Sequence, residues 1–107
     1  MSKFYVMGNY TSKALQGFIK NPSQDRAAAA SELSKTIGAT LASFDIVRGQ
    51  YDFIAAVDAP NFESTAALKM VVVASGNIEN LTILEAVDIK NIASQASKAM
   101  AGYTPPG

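Results

Sequence analysis

Two carboxylates, a guanidinium and a phenol fall in one short stretch, at Asp45, Arg48, Tyr51 and Asp52, around Gly49. Carboxylates that share a desolvated face oppose each other's ionisation, which is one way to hold an acid near neutral pKa for proton transfer. A forked guanidinium such as Arg48 recognises small anions, and a phenol supplies a hydrogen-bond donor beside them. Glu85, set between Leu84 and Val87, adds a carboxylate in an apolar setting. Arg48, Tyr51, Asp52, Asp45 and Glu85 are therefore the expected ligand-binding residues, and Gly49 the structural turn residue. The plainer account of the same stretch is a turn in which Tyr51 plugs an apolar surface and Asp52 accepts hydrogen bonds from Arg48 or from backbone.

Composition narrows the chemistry further. The chain has no His and no Cys, so Ser-His and Cys-His nucleophile pairs are excluded along with the commonest metal and haem ligands. Neither a metal nor another cofactor is expected. Nine basic residues balance nine acidic ones and are scattered singly, which gives no footprint for a nucleic-acid backbone or an anionic membrane. No apolar run approaches the length of a membrane span, and no signal-like segment opens the chain, so a cytoplasmic protein is expected.

The elements that must position these residues can be read from periodicity. Ala39–Arg48 and Tyr51–Ala59 read as two strands joined by Gly49-Gln50 alone, a spacing that suits a type II′ turn with Gly at positive φ. An even-numbered loop places Leu41, Val47, Ile54 and Ala56 on one face with Ser43, Asp45, Asp52 and Asp58. Asp45 and Asp52 then stand as diagonal cross-strand neighbours about 7 to 8 Å apart. Ahead of the hairpin, Lys3–Tyr10 reads as a strand and Thr11-Ser12 as the start of a helix broken at Asn21-Pro22. A second helical segment follows, with Ser23 as cap, Asp25 in its first turn, Arg26 solvated, and Gly38 at its end.

After the hairpin, Asn61 caps a helix running through Ser75, and Gly76-Asn77 closes it. Asn80–Asp88 reads as a fourth strand. From Ile89 onward, Ile89, Ile92, Ala93, Ala96, Ala99 and Met100 share one side of a last helix, opposite Lys90, Asn91, Ser94, Gln95, Ser97 and Lys98. Met7, Met70 and Met100 are expected in the core. The order strand-helix-strand-strand-helix-strand with right-handed crossovers predicts an α+β, ferredoxin-like sheet with both helices on one face. The other face is left open.

Gly49-Gln50-Tyr51-Asp52 between two strands, Ala59-Pro60 before a helix, and Gly76-Asn77-Ile78 before the last strand together resemble the GYD domain family, named for its Gly-x-Tyr-Asp signature. Tyr5-Val6, Tyr10-Thr11 and Lys20-Asn21-Pro22 followed by Arg26 extend the resemblance, which covers residues 4 to 88. Residues 89–107 are expected to form a C-terminal helix and tail outside it. The resemblance implies a dimeric α+β barrel, in which two open sheet faces meet and enclose a cavity. The expected function is that of a small homo-oligomeric domain binding a small molecule between the sheets. A cofactor-independent enzyme, monooxygenase- or isomerase-like, and a purely structural oligomer are the alternatives.

Overall fold

The computed structural model describes every residue from Met1 to Gly107. Eight elements follow in the order β1 (Ser2–Tyr10), α1 (Ser12–Lys20), α2 (Arg26–Lys35), β2 (Thr40–Ile46), β3 (Phe53–Ala59), α3 (Phe62–Ala74), β4 (Ile78–Glu85) and α4 (Ile89–Gly102). The strands form one antiparallel sheet in the spatial order β2-β3-β1-β4. This is the α+β, ferredoxin-like arrangement expected from the element order, with a helix added at the C-terminus.

Local chemistry accounts for where the helices begin. Each N-terminus leaves backbone N–H groups without partners, and a short polar side chain satisfies one of them. Thr11 accepts from the N–H of Ala14, Asn61 from Ser64 and Asp88 from Lys90. In α2 the cap is Asp25, which accepts from Ala28 at 3.0 Å, and not Ser23, whose hydroxyl donates to Asn21 instead. Asp25 is therefore the residue that starts the helix rather than an acid inside its first turn.

The core lies between the sheet and the helices. Phe4, Ala39, Ala55, Val57 and Ala59 are buried there, with Val6, Leu41, Phe44 and Ile83 packed against them. Leu41 thus faces the helices and not the open side. The reason is an extra residue in β2. Leu41 pairs with Val57 but Ser43 pairs with Ala56, so Ala42 is bulged out and the alternation upstream of it is reversed. A second bulge sits in β4, where Asn80 and Leu81 together oppose Gly8 alone and Asn80 takes a left-handed φ of 52°. Of the methionines expected inside, Met7 is buried while Met70 and Met100 are more than two-thirds exposed.

The hairpin differs in length from expectation. The N–H of Val47 donates to the carbonyl of Asp52 at 2.9 Å, so Arg48, Gly49, Gln50 and Tyr51 form a four-residue loop. Both strands are correspondingly shorter. Gly49 keeps a positive φ of 144°, outside the type II′ value, and a Cβ there would touch nothing. Its need for glycine is conformational, not steric. The loop length stays even, so Asp45, Ile54 and Ala56 do lie on the open face.

Candidate functional site

The Gly-x-Tyr-Asp stretch fastens the hairpin to the rest of the sheet. The carboxylate of Asp52 accepts from the backbone N–H of Tyr10 at 2.8 Å, at the end of β1. Tyr51 reaches further, its hydroxyl 3.1 Å from that of Thr82 on β4. Thr82 pairs with Met7 on the open face, and β1 lies between β3 and β4, so the Tyr51 side chain bridges β1 where Met7 is buried. Asn9 completes the attachment by donating to the Gln50 carbonyl and accepting from the Asn80 amide.

The remaining residues singled out from the sequence lie apart. Asp45 is exposed opposite Ile54 on the open face, while the carboxylate of Asp52 is turned toward β1. Arg48 is exposed at the loop tip and joins no ion pair; the single ion pair of the protein connects Lys35 and Glu32 within α2. Glu85 is exposed at the end of β4 opposite Phe4, which places it on the helix-covered face. The two aspartates and Tyr51 thus share one end of the sheet, and Glu85 is distant from them along β4.

A hollow of about 110 Å³ lies elsewhere, between α2, α3 and the covered face of the sheet. Its origin is readable in the packing. α2 rests chiefly on β2 and α3 chiefly on β4, the two outer strands, so a gap remains between the helices above the buried residues of the central strands. The wall that α2 presents includes Ala29 and Ala30, too short to fill the gap, and the floor includes Ala55, Val57 and Val6. At one end an aromatic row continues the wall. Phe44 stacks on Phe53 at 5.7 Å, Tyr10 leans on Phe53 at 5.4 Å, and Phe18 meets Tyr10 edge-on at 4.9 Å.

Charge enters this hollow at Arg26, at the head of α2, and at Lys69 on α3; no Asp or Glu lines it. Arg26 is half-buried, donates to Gln24 at 3.3 Å and has no carboxylate partner. It also borders two adjoining hollows, one of them shared with Tyr10 and Lys13. Burial raises the pKa of Tyr10 above its ordinary 10.0, the Arg26 guanidinium beside the hydroxyl opposes that rise, and the charge of Asp52 adds to it. At neutral pH the end of the hollow therefore offers a protonated phenol and an unneutralised guanidinium. The hydroxyls of Ser34 and Thr65 are tied to carbonyls of their own or adjoining turns.

The family model of the GYD domain matches residues 4–96. The chain belongs to the GYD domain family. The match runs through all four strands and into the first half of α4. Among curated proteins none matches this GYD domain. Solved structures share its fold at low identity. FFRP-DM1 is 12% identical with a TM-score of 0.55, covering 81% of this chain and 100% of that one. TTHA0845 from Thermus thermophilus is 19% identical with a TM-score of 0.53, covering 82% and 95%. MtbAldR (Rv2779c) is 16% identical with a TM-score of 0.52, and the GYD domain covers 81% of its own length but 52% of that protein.

Sequence reasoning passed over Arg26 and Tyr10. Arg26 reads as solvated because it occupies a first helical turn, yet it stands three, four and seven residues before Ala29, Ala30 and Leu33, on the face that packs inward. A cation heading an apolar stripe was the available signal.

Proposed function

We propose that this GYD domain is a binding module for a small amphipathic anion, with the apolar body of the ligand in the α2–α3 hollow and its acid group at Arg26. The observation that carries this reading is Arg26 itself, half-buried and without a carboxylate partner at the mouth of a largely apolar cavity that Lys69 also borders. Guanidinium in such a setting favours a planar carboxylate, and the protonated Tyr10 hydroxyl adds a donor. A volume near 110 Å³ is smaller than the cavity of about 150 Å³ that takes up benzene, so the body is a short alkyl chain or a single ring that projects in part through the mouth. Binding is favoured over proton abstraction because no carboxylate base lines the hollow.

The same proposal takes the functional unit to be a homodimer joined through the open sheet faces. That face exposes Tyr5 and Leu84 beside the partly exposed Ile54, an apolar surface that a second copy would cover. In such a dimer Asp45 and Tyr51 belong to the space between the sheets.

Titration with phenylacetate tests the ligand reading, with 2-phenylethanol as its neutral counterpart. Methyl NMR signals of Val6, Leu33 and Val57 should shift and saturate with phenylacetate. Arg26→Gln should weaken the binding at least tenfold with the fold intact, and the alcohol should bind more weakly than the acid. Unmoved methyl signals, or equal affinity in Arg26→Gln, would remove the reading.

A further inference from the structure

The C-terminal helix is the part of the molecule least explained by its own chain. Every residue from Leu84 to Gly107 is exposed, and α4 has no buried residue. The radius of gyration is 18.0 Å and the long axis 63 Å. A compact chain of this length has a radius near 13 Å, so α4 extends away from the body. An isolated helix of 14 residues is marginal in water, and helices this short are ordinarily held by burying one face.

That face is well defined. At about 100° per residue, Ile89, Ile92, Ala93, Ala96 and Met100 fall within an arc of about 100°, and every polar residue of α4 lies outside it. Ile89, Met100 and Tyr103 are each more than three-fifths exposed. Leu84 on the open face and Val87 in the link from β4 to α4 are 52% and 66% exposed, so exposed apolar side chains run in sequence from the sheet to the helix.

From this geometry we infer that α4 is an arm that lays its apolar stripe on a second copy of the chain and enlarges the contact made by the open sheet faces. The inference rests on the dimer proposed above. A four-stranded face measures about 300 to 400 Å² in plan, given strands about 4.8 Å apart and about 17 to 20 Å long. A stable interface takes about 800 Å² from each partner. The arm is the exposed apolar surface that adjoins the face and can supply the difference. A two-fold axis makes the exchange reciprocal, so each copy both gives and receives one arm. Charge agrees with this occupant: α4 carries Lys90 and Lys98 and no acid, while the rest of the chain holds nine acidic against seven basic residues.

Sedimentation and amide hydrogen exchange on the full chain, with an Ile92→Glu/Met100→Glu variant, test the inference. The wild type is expected to be a dimer at micromolar concentration with α4 amides protected. The variant should dissociate at concentrations at least tenfold higher and lose protection in α4, while the amides of β3 keep theirs. A wild-type dimer whose α4 exchanges freely, or a variant that dimerises like the wild type, overturns the arm and leaves the sheet-face dimer standing. A monomeric wild type overturns both. Protection of α4 only on adding vesicles of anionic lipid also overturns the arm, in favour of a helix that lies on membranes.

Discussion

The hydroxyl of Tyr51 stands 3.1 Å from that of Thr82, two strands away across β1. A residue from the hairpin loop thereby ties β3 to the opposite edge of the sheet, a span no backbone hydrogen bond covers. Tyr51→Phe and Thr82→Val should each destabilise by about 0.5–1.5 kcal/mol, the net worth of one such bond. The double variant should cost less than the sum, because the second change removes a partner already lost. Urea denaturation of the four proteins measures the coupling, and strict additivity would show that the two hydroxyls do not interact.

Asp52 serves the same attachment through its acceptor oxygen on the Tyr10 N–H. Asp52→Asn keeps an oxygen there and should cost under about 1 kcal/mol, whereas Asp52→Ala leaves the N–H without its partner and should cost about 1–3 kcal/mol. Thermal unfolding distinguishes them. Equal losses would mean that the charge of Asp52, and not its geometry, is what the fold uses.

Gly49→Val should destabilise by about 1–3 kcal/mol, because a β-branched residue is strained at φ of 144°. Gln50→Ala changes an exposed residue whose contact to Asn9 runs through its backbone carbonyl, so it should fall within about 0.5 kcal/mol of wild type. Similar midpoints for both would be incompatible with the loop described.

Tyr10 makes stability depend on alkaline pH. Burial, the largest influence, raises its pKa above 10.0, so the folded protein keeps the phenolic proton at pH values where the unfolded chain has lost it. The stabilising contribution is complete below pH 10 and is lost as pH rises from there through the folded pKa. Replacing Arg26 by Gln removes the influence that lowers the Tyr10 pKa, and should move this tyrosine's ultraviolet titration to still higher pH. A shift to lower pH would contradict the placement of Arg26 beside the hydroxyl.

Ala30→Leu introduces a larger side chain into the hollow between α2 and α3. Filling an apolar void typically adds about 0.5–2 kcal/mol. The variant should unfold at higher temperature and should no longer bind phenylacetate. Retained binding would locate the ligand elsewhere.

The open face was legible because Phe53, Ala55 and Val57 of β3 alternate with the less buried Ile54 and Asp58, although Ala56 on the outward side is small, apolar and itself buried. Alternation in β2 misled at Leu41, since a bulge at Ala42 leaves no mark on the hydrophobic pattern beyond a small residue. The hairpin's turn residues were visible, but the pairing of Val47 with Asp52 closed the ladder earlier than Gly49 suggested. The hollow was not legible at all. It depends on how far apart α2 and α3 settle on the sheet, a tertiary distance that no local period encodes.

The two bulges have a bearing on how the protein behaves when crowded. β2 and β4 are the outer strands, and both extra residues lie in them, at Ala42 and at Asn80-Leu81. An outer strand offers unpaired N–H and C=O groups to any passing chain, and a straight one templates the growth of fibrils. A strand that bends midway presents no continuous ladder for a newcomer to match. This sheet is therefore guarded against runaway stacking along its rims.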